Sequence, residues 1–230
     1  MSPARRGEHL RDLEILEDLA EQRGPQEGFL KLYRYRVRNV YSDGSKSEPY
    51  PCDVISRPAV DAVTVVLFER SDAGIRVGLR ENLRPPIWLR RRNEAIPFPE
   101  ENPPSTLLET VAGVLEASDS EHPKELGLCL RAAAECQEEV GLSVKPEAIL
   151  PLGGASFPSP GVADEMVYFC AAQVDFALAQ PPQGDGSTME EVGGLVILKL
   201  HEAIARCRDG RIPDMKTEIG LIRLRDWLDA

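Results

Sequence analysis

Residues 134–141, with the sequence AECQEEVG, end the stretch that decides the fold. The segment 123–140 predicts a helix, because it opens with a proline and is followed by a glycine suited to the left-handed position after a last turn. Glu135, Glu138 and Glu139 stand at positions i, i+3 and i+4 and therefore share one helix face. Like charges at this spacing repel by about 0.2–0.5 kcal/mol per pair, and anions in the last turn also oppose the helix dipole. A divalent cation would reverse both penalties, and clustered carboxylates suit Mg²⁺, Mn²⁺ or Ca²⁺ better than zinc.

A solvated acidic face is the alternative interpretation of these glutamates, since charged helix surfaces are common and the formal net charge of the chain is −11. The sequence upstream favours the metal site. Residues 108–116, LETVAGVLE, predict a strand that runs into a glycine turn at Gly113, and the glutamate helix follows.

This combination resembles the Nudix box, in which a glycine and an acidic spacer precede the pattern Arg-Glu-x-x-Glu-Glu-x-Gly. Two departures from the pattern stand out. Ala134 replaces the usual arginine, and the spacer after Gly113 is about seven residues longer than in the family. Arg131 lies one turn before Glu135 on the same face and is therefore a candidate substitute for the missing arginine.

Four further motifs, in the expected order, resemble the ADP-ribose pyrophosphatase branch of that family, and the resemblance covers roughly residues 58–228. They are an Arg-Pro element at Arg84, the strand and turn at 109–113, a Ser-Pro-Gly…Glu loop at 159–165, and an Asp-x-Lys-Thr element at 214–217.

The resemblance implies an α/β fold, namely a Nudix-type α/β/α sandwich with a mixed sheet, over residues 58–230. Residues 62–68 form a near-continuous apolar run and predict its central, buried strand. Residues 1–57 are expected to form an extension, with an amphipathic helix near 8–22 and β-strands within 29–57. In the ADP-ribose pyrophosphatase branch such an extension helps to form a homodimer and to cover the base of the substrate.

The resemblance also assigns candidate site residues. Glu135 and Glu139, helped by Glu138 and by the backbone carbonyl of Ala112, are expected to bind the metal. The candidate catalytic residues are Glu138, Glu165, Glu190 and Glu191, and the last three compete for the role of base. A basic island at 80–92 supplies Arg84, and with it Arg80, as candidate ligands of the substrate phosphates, because guanidinium groups bind phosphate oxygens in pairs.

The expected activity is Mg²⁺-dependent hydrolysis of a nucleoside diphosphate sugar, with Mn²⁺ as a possible replacement and ADP-ribose as the first choice of substrate. A UDP-sugar pyrophosphatase of the same family is one alternative. A catalytically inactive Nudix-like module that binds a nucleotide or a partner is another, and Ala134 and the long spacer favour it. The complete glutamate set argues against the inactive module, because a protein freed from catalysis need not keep a destabilising cluster.

Composition limits the partners. The acidic balance argues against a nucleic-acid backbone as partner, and no apolar run approaches the ~18 residues of a membrane span. Five cysteines without a CxxC pair favour a reducing, cytoplasmic setting. The three histidines lie in no zinc-ligand spacing, and the sequence contains no GxSxG, GxGxxG or P-loop motif.

Overall fold

A computed structural model describes residues 29–42, 46–72, 74–182 and 193–230. The expected N-terminal helix at 8–22 and two of the candidate catalytic residues, Glu190 and Glu191, lie outside the described residues.

The central element is strand β3, Ala62–Ser71, whose first seven residues are all buried. Side chains alternate between the two faces of a strand, and here both faces are covered. Val63, Val65 and Leu67 belong to one hydrophobic core, whereas Val66 and Phe68 belong to the other. The prediction of a central strand buried on both faces is therefore confirmed.

A seven-stranded mixed sheet is built around β3. It pairs antiparallel with β4 and β6, and parallel with β8. Strand β4 also pairs with β5 and β9, and β7 pairs with β8. The six strands added to β3 are β4 (Gly74–Leu83), β5 (Thr106–Glu109), β6 (Val111–Val114), β7 (Ile149–Pro151), β8 (Val167–Gln173) and β9 (Leu195–Lys199).

Helices cover both faces of this sheet. Helix α2, Lys124–Val140, packs on one face through Ala132, Ala133 and Cys136. Helices α3, Leu200–Arg208, and α4, Met215–Leu228, pack on the other face. A short helix α1, Pro85–Leu89, follows β4. The expected α/β/α sandwich with a mixed sheet is confirmed.

Strands β1, Lys31–Val37, and β2, Tyr50–Ser56, form a separate two-stranded antiparallel ribbon. The ribbon meets the large sheet domain at the loop 159–165. There the Ile55 N–H donates to the Val162 carbonyl at 2.7 Å. The predicted β structure within 29–57 is present. The end of β2 contacts the loop 159–165, which carries the candidate catalytic residue Glu165.

All five cysteines are free thiols, and Cys136, Cys170 and Cys207 are buried. Burial raises the pKa of the thiols of Cys170 and Cys207 to about 12, so both are protonated at neutral pH. Over the described part of the chain, no helix combines the length and the apolar character that a membrane crossing requires.

Candidate active site

Helix α2 places two carboxylates at the boundary between core and solvent. Its apolar side packs on the sheet, so Glu135 and Glu139, which flank this side, are 9% and 7% exposed. Glu138 is half-buried. The helix ends at Gly141, which has a left-handed φ of 64° and donates to the Gln137 carbonyl at 3.1 Å, as the sequence predicts.

Gly113 in β6 allows α2 to approach the sheet closely. A β-carbon at position 113 would lie 1.7 Å from Oε1 of Glu135 and 2.4 Å from its Cγ. Only a residue without a side chain leaves room for this carboxylate. The predicted glycine turn is wrong, because Gly113 lies inside strand β6, paired with Val63. The direct contact between this strand and the helix explains why the position requires glycine.

Each of the two buried carboxylates faces an arginine. Nη1 of Arg131 lies 3.7 Å from Oε1 of Glu135, and Nη1 of Arg80 lies 3.8 Å from Oε2 of Glu139. Arg80 is 3% exposed and therefore lies behind the helix glutamates rather than on an open surface. This position favours a role as counter-charge for Glu139, and a role of Arg80 in binding substrate stays a prediction.

Arg131 takes the place predicted for the missing box arginine. Besides Glu135 it contacts Asp119, with Nε 3.0 Å from Oδ2, and Glu116, with Nη2 3.1 Å from Oε2. Both acids come from the longer spacer, which folds as a 3₁₀ turn over Ala117–Glu121. The spacer therefore anchors the arginine that holds Glu135.

The spacer also lies directly on α2. A β-carbon at Gly127 would be 2.4 Å from the backbone carbonyl oxygen of Asp119, so the first turn of the helix and the 3₁₀ turn are in close contact. The additional residues form a defined element that supports the glutamate helix at its N-terminal end.

A cleft of about 370 Å³ opens beside Gly113 and Ala112. Its charged lining comes from five separate parts of the chain, which the fold brings together. These residues are Arg57, Arg84, Glu109, Glu165, Asp214 and Lys216. The cleft therefore collects all four of the motifs that resemble the ADP-ribose pyrophosphatase branch.

Glu109, at the end of β5, is the buried centre of this lining, with 3% exposure. Its Oε2 accepts from Nε of Arg84 at 2.7 Å and from Nδ2 of Asn82 at 3.1 Å, and its Oε1 accepts from Nζ of Lys216. Burial raises the pKa of the carboxyl, but the charges of Lys216 and Arg84 outweigh burial and hold that pKa below its usual value.

Asp214 joins this cluster to α4. Its Oδ2 accepts from Nζ of Lys216 at 2.9 Å and, as the helix N-cap, from the backbone N–H of Thr217 at 3.0 Å. Oγ1 of the buried Thr217 in turn accepts from the Thr110 N–H at 2.9 Å, which fixes α4 to the residue after Glu109. The Asp-x-Lys-Thr element thus connects the last helix to the cleft.

Arg84 lies where the sequence predicts, at the cleft, with its side chain 40% exposed. Burial alone would lower the pKa of its guanidinium, but Glu109, and beyond it Glu139 and Asp214, raise it. Gly113, which lines the same cleft, is also the residue against which Glu135 of the glutamate helix lies. The cleft and the buried carboxylates therefore form one site.

Glu165 also lies at the cleft, but its carboxylate is engaged. Nη2 of Arg57 donates to Oε1 of Glu165 at 2.7 Å, and the neighbouring Ser56 hydroxyl donates to Asp164 at 2.9 Å. Because Arg57 directly follows strand β2, the ribbon and this candidate catalytic residue are joined. The ion pair with Arg57 uses Oε1 of Glu165, and no described residue donates a hydrogen bond to Oε2.

The donor set fits a hard divalent cation in part. Glu135 and Glu139 offer buried carboxylate oxygens beside Ala112 and Gly113, and oxygen ligands suit Mg²⁺ or Mn²⁺. Among the described residues, however, no three acidic, histidine or cysteine side chains are grouped so that they could hold a metal ion. A cation at this position needs further ligands such as backbone carbonyls, water or substrate phosphate, which Mg²⁺ commonly keeps.

A second cavity, of about 410 Å³, lies at the C-terminal end of α2. Among the described residues of its lining, Lys145 and Asp175 are charged and the others are neutral polar or apolar. Its chemistry does not match a diphosphate, and the smaller cleft beside Gly113 is the candidate active site.

Sequence reasoning did not assign Glu109, Asp214, Lys216 and Arg57 to the site. The first three stand inside motifs that the sequence analysis quoted, and this was the available signal. Their mutual contacts join residues as far apart as 109 and 216, and no local pattern predicts such pairing.

Comparisons with known proteins identify relatives of the chain. No protein-family model matches the chain. A GDP-mannose pyrophosphatase of Yersinia enterocolitica is 31% identical over 189 residues, which cover 82% of this chain and 84% of the relative. Another GDP-mannose pyrophosphatase, of Yersinia pestis, is 30% identical over 189 residues, with 82% and 81% covered. One of Pectobacterium atrosepticum is 32% identical over 152 residues, with 66% and 71% covered. From these relatives, and from Glu135 of helix α2 set against Gly113 of strand β6, the chain belongs to the Nudix hydrolases and is an enzyme that cleaves a diphosphate bond.

Proposed function

We propose that this enzyme hydrolyses the diphosphate of a nucleoside diphosphate sugar, giving a nucleoside monophosphate and a sugar phosphate. The observation that carries the proposal is that Arg84 lines a cleft beside Gly113, and that Glu135 of the buried Glu135–Glu139 pair lies against this glycine. Carboxylates on one side suit a cation, and a guanidinium on the other suits phosphate oxygens. GDP-mannose is the first substrate to test, because the relatives described above are named for it.

ADP-ribose is the second candidate, and the four motifs of the ADP-ribose pyrophosphatase branch support it. Residues from all of them line the cleft, including Arg84, Glu109, Glu165 and Lys216. A UDP sugar remains a third candidate, since the motifs act on the diphosphate and leave the base open.

Mg²⁺, with Mn²⁺ as a replacement, is the proposed cofactor. Glu135 and Glu139, with Glu138 and the carbonyl of Ala112, are the proposed ligands. When bound, the cation neutralises phosphate charge and lowers the pKa of coordinated water. The contribution of the chain is to keep Glu135 in place through Gly113 and Arg131.

The remaining side chains bind substrate and move a proton. The guanidinium of Arg84 binds phosphoryl oxygens that the cation does not contact, and positioning of this kind carries much of the rate in phosphoryl transfer. Glu165, Glu190 and Glu191 are the candidates for the group that accepts the proton of the attacking water.

The proposed assembly is a homodimer formed through the β1–β2 ribbon. Its support is the exposure of large apolar side chains on these strands, among them Tyr33, Tyr35 and Tyr50, at 42%, 52% and 44%. Exposed apolar patches of this kind mark interaction sites. A cytoplasmic setting is also proposed, supported by the five free thiols.

A substrate panel tests the function. GDP-mannose, ADP-ribose, UDP-glucose, diadenosine polyphosphates and NADH are incubated with the enzyme in Mg²⁺, in Mn²⁺ and in EDTA, and phosphate is measured after phosphatase treatment. We expect metal-dependent turnover of one sugar nucleotide well above the others. Equal turnover in EDTA contradicts the metal proposal, and absence of turnover of every sugar nucleotide contradicts the proposed substrate class.

A further inference from the structure

The large sheet divides into two branches at the cleft. Strands β3 and β4 pair with each other over residues 67–71 of β3, whereas residues 62–65 of β3 pair with β6 and the end of β4 pairs with β5. The chain crosses between the branches from Glu109, the last residue of β5, to Val111, the first residue of β6. Ala112, the next residue of β6, lines the cleft. The geometry of this crossing therefore sets one wall of the candidate active site.

Threonine side chains bind the polar groups of the crossing. Thr110, which belongs to neither strand, is 1% exposed. Its backbone N–H donates to Oγ1 of Thr217 at 2.9 Å, and its own Oγ1 lies 2.7 Å from Oγ1 of Thr64. The Thr64 hydroxyl donates to the Val111 carbonyl at 3.0 Å. Buried backbone groups need partners, and where the chain changes its strand partner these side chains supply them.

The direction of these hydrogen bonds is determined, because each hydroxyl carries a single proton. The proton of Thr64 goes to the Val111 carbonyl, so Thr64 accepts from the Thr110 hydroxyl. The Thr217 hydroxyl donates to Oδ2 of Asp214 at 2.5 Å. The Oγ1 atoms of Thr110 and Thr217 are 3.4 Å apart, a distance too long for a good bond between hydroxyls. Each proton of this threonine ladder (Thr64, Thr110 and Thr217) therefore has one acceptor.

Helix α4 covers the ladder. Thr64 and Thr217 are both 0% exposed. A β-carbon at Gly220 would lie 2.9 Å from Cγ2 of Val66 and 4.0 Å from Cγ2 of Thr110, so the helix lies directly on β3 and on the crossing. Apolar side chains of the same shape could fill this space with little loss of stability. A fully satisfied polar network adds a single defined arrangement, and the ladder therefore contributes position more than stability.

We propose that Thr64 is a positioning residue that directs the Ala112 carbonyl, a proposed ligand of the cation, through the Val111 carbonyl that it binds. Successive carbonyls of a strand point in opposite directions, so a Val111 carbonyl held toward β3 turns the Ala112 carbonyl away from β3. Thr110 and Thr217 hold the crossing in the matching position. The proposal rests on the proposed function, because it concerns the same cation.

Variants of Thr64 separate the role of the hydroxyl from that of the methyl group. Thr64→Val keeps the shape and removes the hydroxyl, whereas Thr64→Ser keeps the hydroxyl and removes the methyl. Thr106→Val is the matched control, because the Thr106 hydroxyl donates to Oε1 of Glu81 at 2.5 Å, at the other end of β5 and outside the ladder. The Kd of Mn²⁺ is measured by calorimetry without substrate, thermal unfolding is measured in EDTA, and kcat and KM are measured on the sugar nucleotide that the enzyme cleaves.

We expect Thr64→Val to raise the Kd of Mn²⁺ and to lower kcat about tenfold each, as for other groups that orient a metal ligand, with a much smaller change in KM. Thr64→Ser and Thr106→Val should stay within about twofold of wild type, because both leave the hydroxyls of the ladder in place. The opposite order, with Thr64→Ser impaired and Thr64→Val normal, overturns the proposal, since it leaves the residue only a packing role.

The double variant Thr64→Val with Thr110→Val keeps the test decisive if Thr64→Val does not fold. It removes both hydroxyls, so no Thr110 proton is left without an acceptor. We expect it to unfold in EDTA at or above the wild-type temperature while the Kd of Mn²⁺ stays raised about tenfold. A wild-type Kd in this double variant overturns the proposal, because the defect of the single variant would then come from the orphaned hydroxyl.

The binding measurement distinguishes failure of this inference from failure of the proposed function. Unchanged Mn²⁺ affinity in Thr64→Val overturns the inference even if the wild-type protein cleaves a sugar nucleotide. A wild-type protein that binds Mn²⁺ but cleaves no sugar nucleotide contradicts the proposed function alone. A wild-type protein that binds no Mn²⁺ overturns the inference, since there is then no cation for the carbonyl to bind.

Discussion

The carboxylate of Glu135 lies against Gly113 so closely that a β-carbon on residue 113 would be 1.7 Å from Oε1. The contact joins strand β6 to helix α2, the two halves of the sequence motif. It explains why a glycine is needed at a position whose backbone is extended and could otherwise carry any residue.

Gly113→Ala should therefore lower activity strongly while changing stability little. The added methyl meets the far end of a flexible side chain, so Glu135 can move aside, but it then leaves the site. Misplacement by about 1 Å costs roughly 10²-fold in rate. Turnover and thermal unfolding are measured together.

Gly154→Ala is the control for this variant, since a β-carbon at 154 meets no atom within 4 Å. Retention of full activity by Gly113→Ala would show that the position of Glu135 is not critical.

Much of this site could be predicted from the sequence, because the deciding signals are local. The spacing of Glu135 and Glu139 and the glycine after the helix follow from helical periodicity within a few turns. The pairing of Glu109 with Lys216 could not be predicted, because it depends on how α4 is placed against β5. For Arg80 the local sequence pointed in another direction than the structure. Its position in a basic stretch suggested an exposed ligand of the substrate phosphates, whereas the register of β4 buries it beside Glu139.

Glu139→Gln should reduce turnover by about 10²–10³-fold, as expected for loss of one fixed electrostatic group in an active site. The amide keeps the shape of the side chain, and the like-charge repulsion with Glu135 disappears. Loss of this repulsion stabilises the fold, whereas Arg80 loses a counter-charge 3.8 Å away, which destabilises it. Because the two effects oppose each other, the melting temperature should change only modestly.

Kinetics in Mg²⁺ and circular dichroism check this prediction, with Glu147→Gln on the exposed 3₁₀ turn at Pro146–Ala148 as control. Near-normal turnover by the folded Glu139→Gln protein is incompatible with the assignment of α2 as the metal-binding helix.

Arg131→Gln should reduce activity by roughly 10–100-fold, the usual effect of removing a residue that orients a metal ligand. Arg131 connects Glu135 to Asp119 and Glu116, and glutamine cannot reach all three. The matched control is Arg90→Gln, because Arg90 also pairs with a glutamate but lies outside the cleft. If both variants lose the same small amount of activity, the long spacer has no part in holding Glu135.

The pH dependence of stability should reveal the buried carboxyl of Glu109. Its pKa lies below the usual 4.5, because Lys216 and Arg84 outweigh the effect of burial. A lowered folded-state pKa means that the contribution is fully present above about pH 4.5 and is lost as the pH falls through the folded value. Glu109→Gln should cost about 1–3 kcal/mol of unfolding free energy at pH 7, and the difference from wild type should shrink below pH 4.5.

Urea unfolding at pH 3 to 7 measures this difference. Glu100→Gln serves as the control, since Glu100 is exposed and its pair with Arg90 is open to solvent. A difference between Glu109→Gln and wild type that stays constant over this range would mean that Glu109 does not titrate as an ion pair.

The β1–β2 ribbon should carry the dimer contact if the proposed assembly is correct. Tyr33 and Tyr35 lie two residues apart on one face of β1, with ring centroids 6.2 Å apart, and both are exposed. A charge at position 35 cannot be desolvated in an interface without a partner, so Tyr35→Glu should weaken association about tenfold or more. Arg36→Ala changes the net charge by the same amount on the opposite face of the strand and is the control. Sedimentation over a range of concentrations distinguishes the outcomes. A wild-type monomer contradicts the proposed homodimer, and a Tyr35→Glu dimer as stable as the control places the contact elsewhere.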